Sequence, residues 1–300
     1  MDTLISIKQC ILCGSYNNTP PSASPEYIIC KNCGLVYSSL RFSDEKLEEV
    51  ANSCAQMHHL SKNRLEADFS QFMIQMVYEP RLKDISPFRK NNRILDIGCA
   101  TGGWLSFLKE NGWDAHGLEL SPENAQYGIK VKGLNIFCGN INEASYPDEY
   151  FDVVTLWEVI EHVNDPINNL KKAYQILRKG GILALSTPNY NCLTRLIIQN
   201  NWTGMDPNSH YHLFTPSTIK KLLTKTGFKN IKIRTMDLNP YEILHEFKKD
   251  KSYEKHQEDI KKIKEKIKNN KLMYLTRAAL NKILGVIPLG EKMVILAVKP

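Results

Sequence analysis

Residues Arg93–Trp104 read RILDIGCATGGW, and that stretch limits what the rest of the chain can build. Arg93 to Ile97 is a short apolar run around one acid, the pattern of a strand buried on both faces. Gly98, Gly102 and Gly103 come directly after it; they permit a tight turn and let a ligand approach the backbone. Trp104, Leu105, Phe107 and Leu108 then fall on one face of a helix. Strand, glycine-rich turn and helix cradle a nucleotide, and the free N–H groups at the helix start favour a polar or anionic group. The turn alone is not decisive, because nicotinamide enzymes and several other α/β families share it.

The chain beyond Trp104 repeats the alternation. Strands are expected at 114–120, 134–138, 150–156, 182–186, 231–236 and 291–299. Helices are expected after Ser121-Pro122-Glu123, over 168–177, and over 218–226 with Gly227 as the C-cap. Strands separated by helices imply a sheet covered on both faces, with binding at the carboxyl ends of the strands. The expected fold class is α/β: a Rossmann-like, mainly parallel seven-stranded sheet with helices on both faces, plus a small N-terminal zinc ribbon.

The ribbon is read from Cys10-x2-Cys13 and Cys30-x2-Cys33, each pair followed by a glycine. Two such knuckles place four thiolates around one ion with no open position, which suits Zn2+, with iron as the alternative. So small a segment has little apolar core, so the metal supplies most of its folding energy, on the order of 10 kcal/mol. Tyr27–Cys30 and Leu35–Tyr37 are its expected strands, with a loop between Asn17 and Pro25. The division is then a ribbon at 1–42, a helical connector or lid at 43–87, and a main domain at 88–300 with a helical insertion at about 240–288. In the connector, Phe69, Phe72, Met73, Met76 and Val77 form a helical stripe that packs on the main domain or lids its cleft. His58 and His59 read first as surface or packing residues, second as metal or catalytic ones.

Charge narrows the partners only modestly. The 39 basic and 32 acidic residues leave +7, which favours phosphate, nucleic acid or a membrane face without establishing any of them. Lys248–Lys271 carries ten Lys against five acids. That run reads first as a solvated helix face, second as a docking surface for an acidic carrier, a nucleotide-bearing substrate or a membrane. Between its cysteines the ribbon has one basic residue, Lys31, so it is a poor phosphate binder and nucleic acid is not an expected partner. No apolar stretch is long enough to span a bilayer and the N-terminus lacks a signal peptide's apolar core, so a cytoplasmic location is expected.

Further motifs carry a resemblance. LDIGCATGGWL, GLELS, YFDVVTLWEVIEHVNDP, LRKGGILALSTPN and HYHLFTP followed by TKTGF resemble the class I S-adenosylmethionine-dependent methyltransferases. The branch is that of the ubiquinone-biosynthesis O-methyltransferases and many small-molecule or sugar methyltransferases. The resemblance covers Phe88 to Pro300. It implies that Asp96, Gly98 and Gly102 hold the methionine and ribose part of the cofactor, with Cys99, Ala100 and Trp104 beside them. Glu119, next to Leu120, would grip the ribose hydroxyls. Asn140, next to Ile141, would meet the adenine, and Trp157 and Glu158 would close the site. Two positions depart from the usual pattern: Ala100 where Gly is usual, and Asn140 where Asp is usual.

Glu158, Glu161 and His162 stand at i, i+3 and i+4, on one side if that turn is helical. Some relatives hold a divalent ion with this triad, so Mg2+ or Mn2+ is one use, with His210 or His212 as fourth ligand. The other use is structural or cofactor contact, which weighs more. His162, His210 and His212 are the candidate bases, with Tyr211 assisting if carbon is the acceptor. The expected reaction is methyl transfer to an oxygen, less readily nitrogen or carbon, of a small molecule or glycan precursor. The alternatives are an RNA or protein methyltransferase, or a scaffold on the same fold.

Overall fold

The computed structural model describes residues 4–20, 26–54, 70–246, 279–281 and 283–300. The stretch containing His58 and His59 lies outside them, as do the charged run and Phe69. Among the described residues no helix is long and apolar enough to cross a membrane.

Short strands form the N-terminal part: β1 (Leu4–Ser6), β2 (Asn18–Thr19), β3 (Tyr27–Cys30), β4 (Val36–Ser38) and β5 (Leu40–Phe42). β3 lies where the sequence predicts it, and the next strand is shifted by one residue. Helix α1 (Asp44–Cys54) comes next. Then Gln71–Met73 continues through a π-helical turn, Ile74–Tyr78, into α2 (Glu79–Ile85).

The main domain begins at β6 (Arg93–Ile97) and α3 (Gly103–Glu110), then β7 (Asp114–Glu119), α4 (Pro122–Lys132), β8 (Asn135–Cys138) and β9 (Phe151–Trp157). It goes on through α5 (Pro166–Ile176), β10 (Leu177–Pro188), α6 (Leu193–Ile198), β11 (His212–Leu213) and α7 (Pro216–Lys225). The last elements are β12 (Lys229–Met236), α8 (Pro240–Glu246) and β13 (Lys292–Val298). The sheet has seven strands in the order β12-β13-β10-β9-β6-β7-β8. β10, β9, β6, β7 and β8 run parallel, and β13 is antiparallel to both its neighbours.

Alternation along the central strands divides the core. Ile94, Val153, Ile182 and Ala184 pack with Trp104, Leu105 and Leu108 of α3. Leu95, Val154, Leu183 and Leu185 face the other way, toward Leu170 and Ala173 of α5 and Leu222 of α7. Each such aliphatic side chain contributes about 1.5–3 kcal/mol by leaving water. Both faces need covering, so the strands read as nearly continuous apolar runs.

Two boundaries differ from expectation for local reasons. β10 starts at Leu177 rather than Ile182, because Lys179-Gly180-Gly181 forms a bulge inside the strand instead of a stop before it. A Cβ on Gly181 would lie 2.8 Å from the Asp152 carbonyl oxygen. The WEVIEHV segment is a turn, not a helical turn: Glu158 sits at φ +57°. The next helix waits for Asp165, whose carboxylate accepts from the Asn168 N–H, with Pro166 in the first turn.

At the opposite end of the sheet, buried Asp152 accepts from the Lys90 and Asn91 N–H groups and from Arg178 Nε at 2.5 Å. Arg178 also donates to the Phe88 carbonyl at 2.6 Å. This cluster fixes where the chain turns into β6.

Candidate functional site

The carboxyl ends of β6, β7 and β9 converge on the glycine turn. The Gly98 and Cys99 N–H groups donate back to the Leu118 carbonyl at 2.8 and 3.0 Å. Gly98 and Gly102 both have positive φ, +73° and +77°. Each is also too crowded for a side chain: a Cβ on Gly98 would stand 2.5 Å from Val159 Cγ2, and one on Gly102 would collide with Leu134. Ala100, at φ +49°, adopts the left-handed conformation that a glycine takes without strain.

Glu119 offsets that strain. Its Oε2 accepts from the Ala100 N–H at 2.8 Å and its Oε1 from the Ser121 N–H at 2.9 Å. The acid therefore ties the glycine turn to β7. Burial raises its pKa. Asp96 faces Thr155 across the β6–β9 register and accepts its hydroxyl at 2.6 Å. Burial, only partly offset by that bond, pushes Asp96 up to about 7.

Trp104 and Trp157 meet edge to face at 6.4 Å, and the Arg81 guanidinium lies 4.1 Å over the Trp157 ring. The indole N–H groups of both tryptophans are buried without a hydrogen-bond partner among the described residues. Unmet donors at the carboxyl ends of the strands fit a polar ligand laid across them. Leu120 is half-buried and Ile141 buried beside this end of the sheet. Asn140 is less available than its position suggests. Its side-chain amide donates to Glu143 at 2.8 Å and its carbonyl accepts from the Asn142 N–H at 2.9 Å.

The EVIEH residues separate into two groups. Glu158 accepts from Ser186 Oγ at 2.6 Å and pairs with Lys292 at 3.3 Å. Burial opposes its charge, but Lys292 and Ser186 outweigh that and hold its pKa below the usual carboxylate range. It is not part of the metal-type cluster expected from spacing, because its left-handed backbone breaks the i, i+3, i+4 relation. The cluster that forms is Glu161, His162 and His210, whose ligand atoms all lie within 4.8 Å of one another. Neither carboxylate oxygen of buried Glu161 has a hydrogen-bond partner among the described residues. Burial, with the Glu158 charge adding to it, pushes Glu161 up to about 8.

The two imidazoles are held alike. His162 Nδ1 lies 2.7 Å from the Ser209 carbonyl and His210 Nδ1 lies 2.8 Å from the Gly204 carbonyl. Each Nδ1 must donate there, so in the neutral ring the lone pair is on Nε2. The rings are 4.9 Å apart, and burial keeps the His162 pKa low.

His212 and Tyr211 do not join them. His210 precedes β11 instead of lying in it, so the two-residue alternation does not relate it to His212. The His212 ring is fully buried against Phe214, and burial takes its pKa well below the usual value. Tyr211 is also buried and lines a cavity with Leu40, Phe42 and Pro207, on the N-terminal side of the segment. Sequence reasoning missed Arg81, Thr155, Ser186 and Lys292. Only Thr155 left a signal, as the one hydroxyl in the apolar run of β9.

The four N-terminal cysteines come together: Cys10–Cys33 and Cys13–Cys30 Sγ separations are both 3.5 Å, and all four lie within 4.8 Å. Zn–S bonds of about 2.3 Å put tetrahedral sulfurs about 3.8 Å apart, so the set fits one such ion.

A family profile described as a methyltransferase domain matches residues 72–233. Ubiquinone biosynthesis O-methyltransferases are among the similar proteins. That of Cereibacter sphaeroides is 29% identical over 195 residues, covering 61% of this chain and 78% of its own. That of Dinoroseobacter shibae is 29% identical, covering 59% and 76%. A solved SAM-dependent methyltransferase from Archaeoglobus fulgidus superposes with a TM-score of 0.50 at 26% identity, covering 76% of this chain and 98% of its own. Phosphoethanolamine N-methyltransferase 2 from Haemonchus contortus shares the fold, with a TM-score of 0.55 at 20% identity and coverage of 83% and 60%. The cradle, the unmet donors around it and a profile match over more than half the sequence agree: this chain belongs to the methyltransferase-domain family and is an S-adenosylmethionine-dependent methyltransferase.

Proposed function

We propose that the enzyme moves the methyl group of S-adenosylmethionine to an oxygen of a small molecule or glycan precursor. The observation that carries this reading is the histidine pair, with each Nδ1 proton given to a carbonyl and the Nε2 of His162 4.0 Å from Glu161 Oε1. A neutral Nε2 takes the proton of an acceptor hydroxyl as the oxygen attacks the methyl carbon and the sulfonium leaves. The low pKa of His162 keeps that nitrogen unprotonated near neutral pH. The remaining task is alignment of oxygen, carbon and sulfur. Asp96, Glu119 and the turn Gly98–Gly102 hold the cofactor, with Trp104, Trp157 and Glu158 closing around it. The O-methyltransferase activity in the name of the Cereibacter sphaeroides relative supports oxygen over nitrogen or carbon.

A second reading adds a divalent ion at Glu161, His162 and His210, and one observation favours it: the buried Glu161 carboxylate has no hydrogen-bond partner among the described residues while His162 Nε2 stands 4.0 Å from it. Two imidazoles and one carboxylate suit Mn2+ or a later transition ion better than Mg2+. Such an ion would lower the pKa of an acceptor hydroxyl. At the N-terminus we assign Zn2+ to the four thiolates, and we keep the division at 1–42, 43–87 and 88–300.

The test is titration of the zinc-loaded protein with S-adenosylhomocysteine, then transfer of labelled methyl to a panel of catechols and nucleotide-linked sugars. We expect micromolar binding, and a loss of about 100-fold or more in turnover for His162→Gln. No binding by folded protein, or full turnover by that variant, overturns the reading. An unchanged Mn2+ response in Glu161→Gln removes the ion.

A further inference from the structure

The ribbon reaches both segments that carry the histidine pair. β11 adds to the ribbon sheet, pairing antiparallel with β4, so that His212 lies opposite Tyr37 and Leu213 opposite Val36. The Ser38 N–H donates to the Tyr211 carbonyl at 2.9 Å. Tyr27, fully buried, donates its hydroxyl to the carbonyl of His210 itself at 2.9 Å. Ser209, whose carbonyl orients His162, is in the same segment.

The second tether runs to the turn after β9. Arg41 Nη1 donates to the Asn164 carbonyl at 2.7 Å, and Asn164 Nδ2 donates back to the Phe42 carbonyl at 3.1 Å. His162 lies two residues before Asn164.

The ribbon is itself fastened to the main domain at the cysteine knuckles. Lys221 and Lys225 of α7 donate to the carbonyls of Cys33 and Leu12 at 3.0 and 2.7 Å. Cys10, Cys30, Leu35 and Tyr37 share one apolar cluster with Phe214, Ile219 and Leu222. The cofactor contacts lie elsewhere: Asp96 is bonded to Thr155, Gly98 and Cys99 to Leu118, and Ala100 and Ser121 to Glu119, all within the main domain, and the N-terminal tie at Ser121, whose Oγ donates to Asn52 Oδ1 at 2.7 Å, comes from α1 and not from the ribbon.

We infer that the four-cysteine ribbon is a positioning device for the histidine pair, so that its metal sets the geometry of His162 and His210 without setting affinity for the cofactor. The inference rests on the reading of that pair as the base. Tyr27 is its positioning residue. Without the metal the knuckles lose their shape, β4 loses its register, and β11 is released together with the His210 carbonyl. The two carbonyls that orient the imidazoles then move, and both Nε2 atoms lose their common direction.

The test uses the full zinc-loaded chain as wild type, as Tyr27→Phe, and as wild type stripped with a chelator. Three quantities are followed: S-adenosylhomocysteine affinity, the ring Cε1–H proton resonances of the histidines, and amide exchange at Ser38. Signals of His162 and His210 are assigned with His162→Gln and His210→Gln, and His116 on β7 serves as internal control. In Tyr27→Phe and in stripped protein we expect both signals to shift and the His116 signal to stay. Ser38 exchange should quicken by about tenfold or more, and affinity should stay within about twofold. Two results overturn the inference: unmoved His162 and His210 signals in both samples, or affinity that falls in step with them. Failure of the base reading shows differently, as full turnover by His162→Gln. If Tyr27→Phe does not fold, the stripped wild type gives the same decision.

Discussion

Glu119→Gln separates the anchoring of the glycine turn from the ribose contact proposed for the same carboxylate. Its oxygens accept from opposite sides, Oε2 from the Ala100 N–H and Oε1 from the Ser121 N–H. Glutamine keeps the size but turns one acceptor into a donor, so one backbone N–H must face another N–H. A hydrogen bond to a charged group is worth about 1.5–3 kcal/mol, and the stranded donor adds its own desolvation cost. Burial already opposes the Glu119 charge, as its raised pKa shows, and removing the charge returns part of the loss. The net expectation is a destabilisation of about 1–3 kcal/mol, read as a lower urea midpoint in the absence of ligand. Losing the anionic acceptor for a ribose hydroxyl should weaken S-adenosylhomocysteine binding by about ten- to a hundredfold, at about 1.4 kcal/mol per factor of ten. Titration calorimetry with the natural product and its 2′-deoxy analogue isolates the ribose contribution. The wild type should favour the hydroxylated ligand strongly, and the variant should favour it little. An unchanged urea midpoint would refute the anchoring of the glycine turn. A preference retained in the variant would refute the ribose role.

Three other perturbations probe the same sheet and turn. Burial lifts Asp96 from 3.8 to about 7, so between those values the folded protein holds one more proton than the unfolded chain. Stability without ligand should therefore fall as pH rises through that window, by up to about 1.4 kcal/mol per pH unit, and Asp96→Asn should flatten the slope; equal slopes in urea titrations would remove the assignment. Asp152→Ala strands Arg178 and two backbone N–H groups and should cost about 3–5 kcal/mol in the same measurement, whereas a loss below about 1 kcal/mol would mean that the cluster is not structural. Gly98→Ala adds about 1–2 kcal/mol of left-handed strain and pushes on Val159; it should lower both stability and S-adenosylhomocysteine affinity, and a variant unaffected in both would contradict the crowding.

The sheet was legible because its signals are local. Seven apolar runs, each bounded by glycine, proline or a cap, fall on seven strands. The glycine turn could be read from three glycines alone, and four cysteines at two short spacings identified a thiolate cluster. What could not be read depends on backbone direction over single residues. Glu158 and His162 look like members of one helical face until the left-handed backbone at Glu158 turns its carboxylate to Lys292, which arrives from more than 130 residues away. His210 and His212 look equivalent until the Asp206 turn keeps His210 out of the strand. Arg81 left no trace in the sequence, because its place over Trp157 comes from how α2 packs, not from its neighbours.

The position of β13 has a consequence for the birth of the molecule. This strand lies between β10 and β12, and among the described residues β12 is joined to the rest of the sheet only through it. While the ribosome is still making residues 237–291, β10 and β12 each lack the strand that pairs with them. The β10 edge is apolar from Ile182 to Leu185, the kind that recruits foreign strands, whereas β12 carries Lys229, Lys232 and Arg234, which blunt its edge. The sheet therefore cannot close until β13 has been made. A stop between Met236 and β13 yields a chain that holds the cofactor motifs but leaves the apolar edge of β10 open to association.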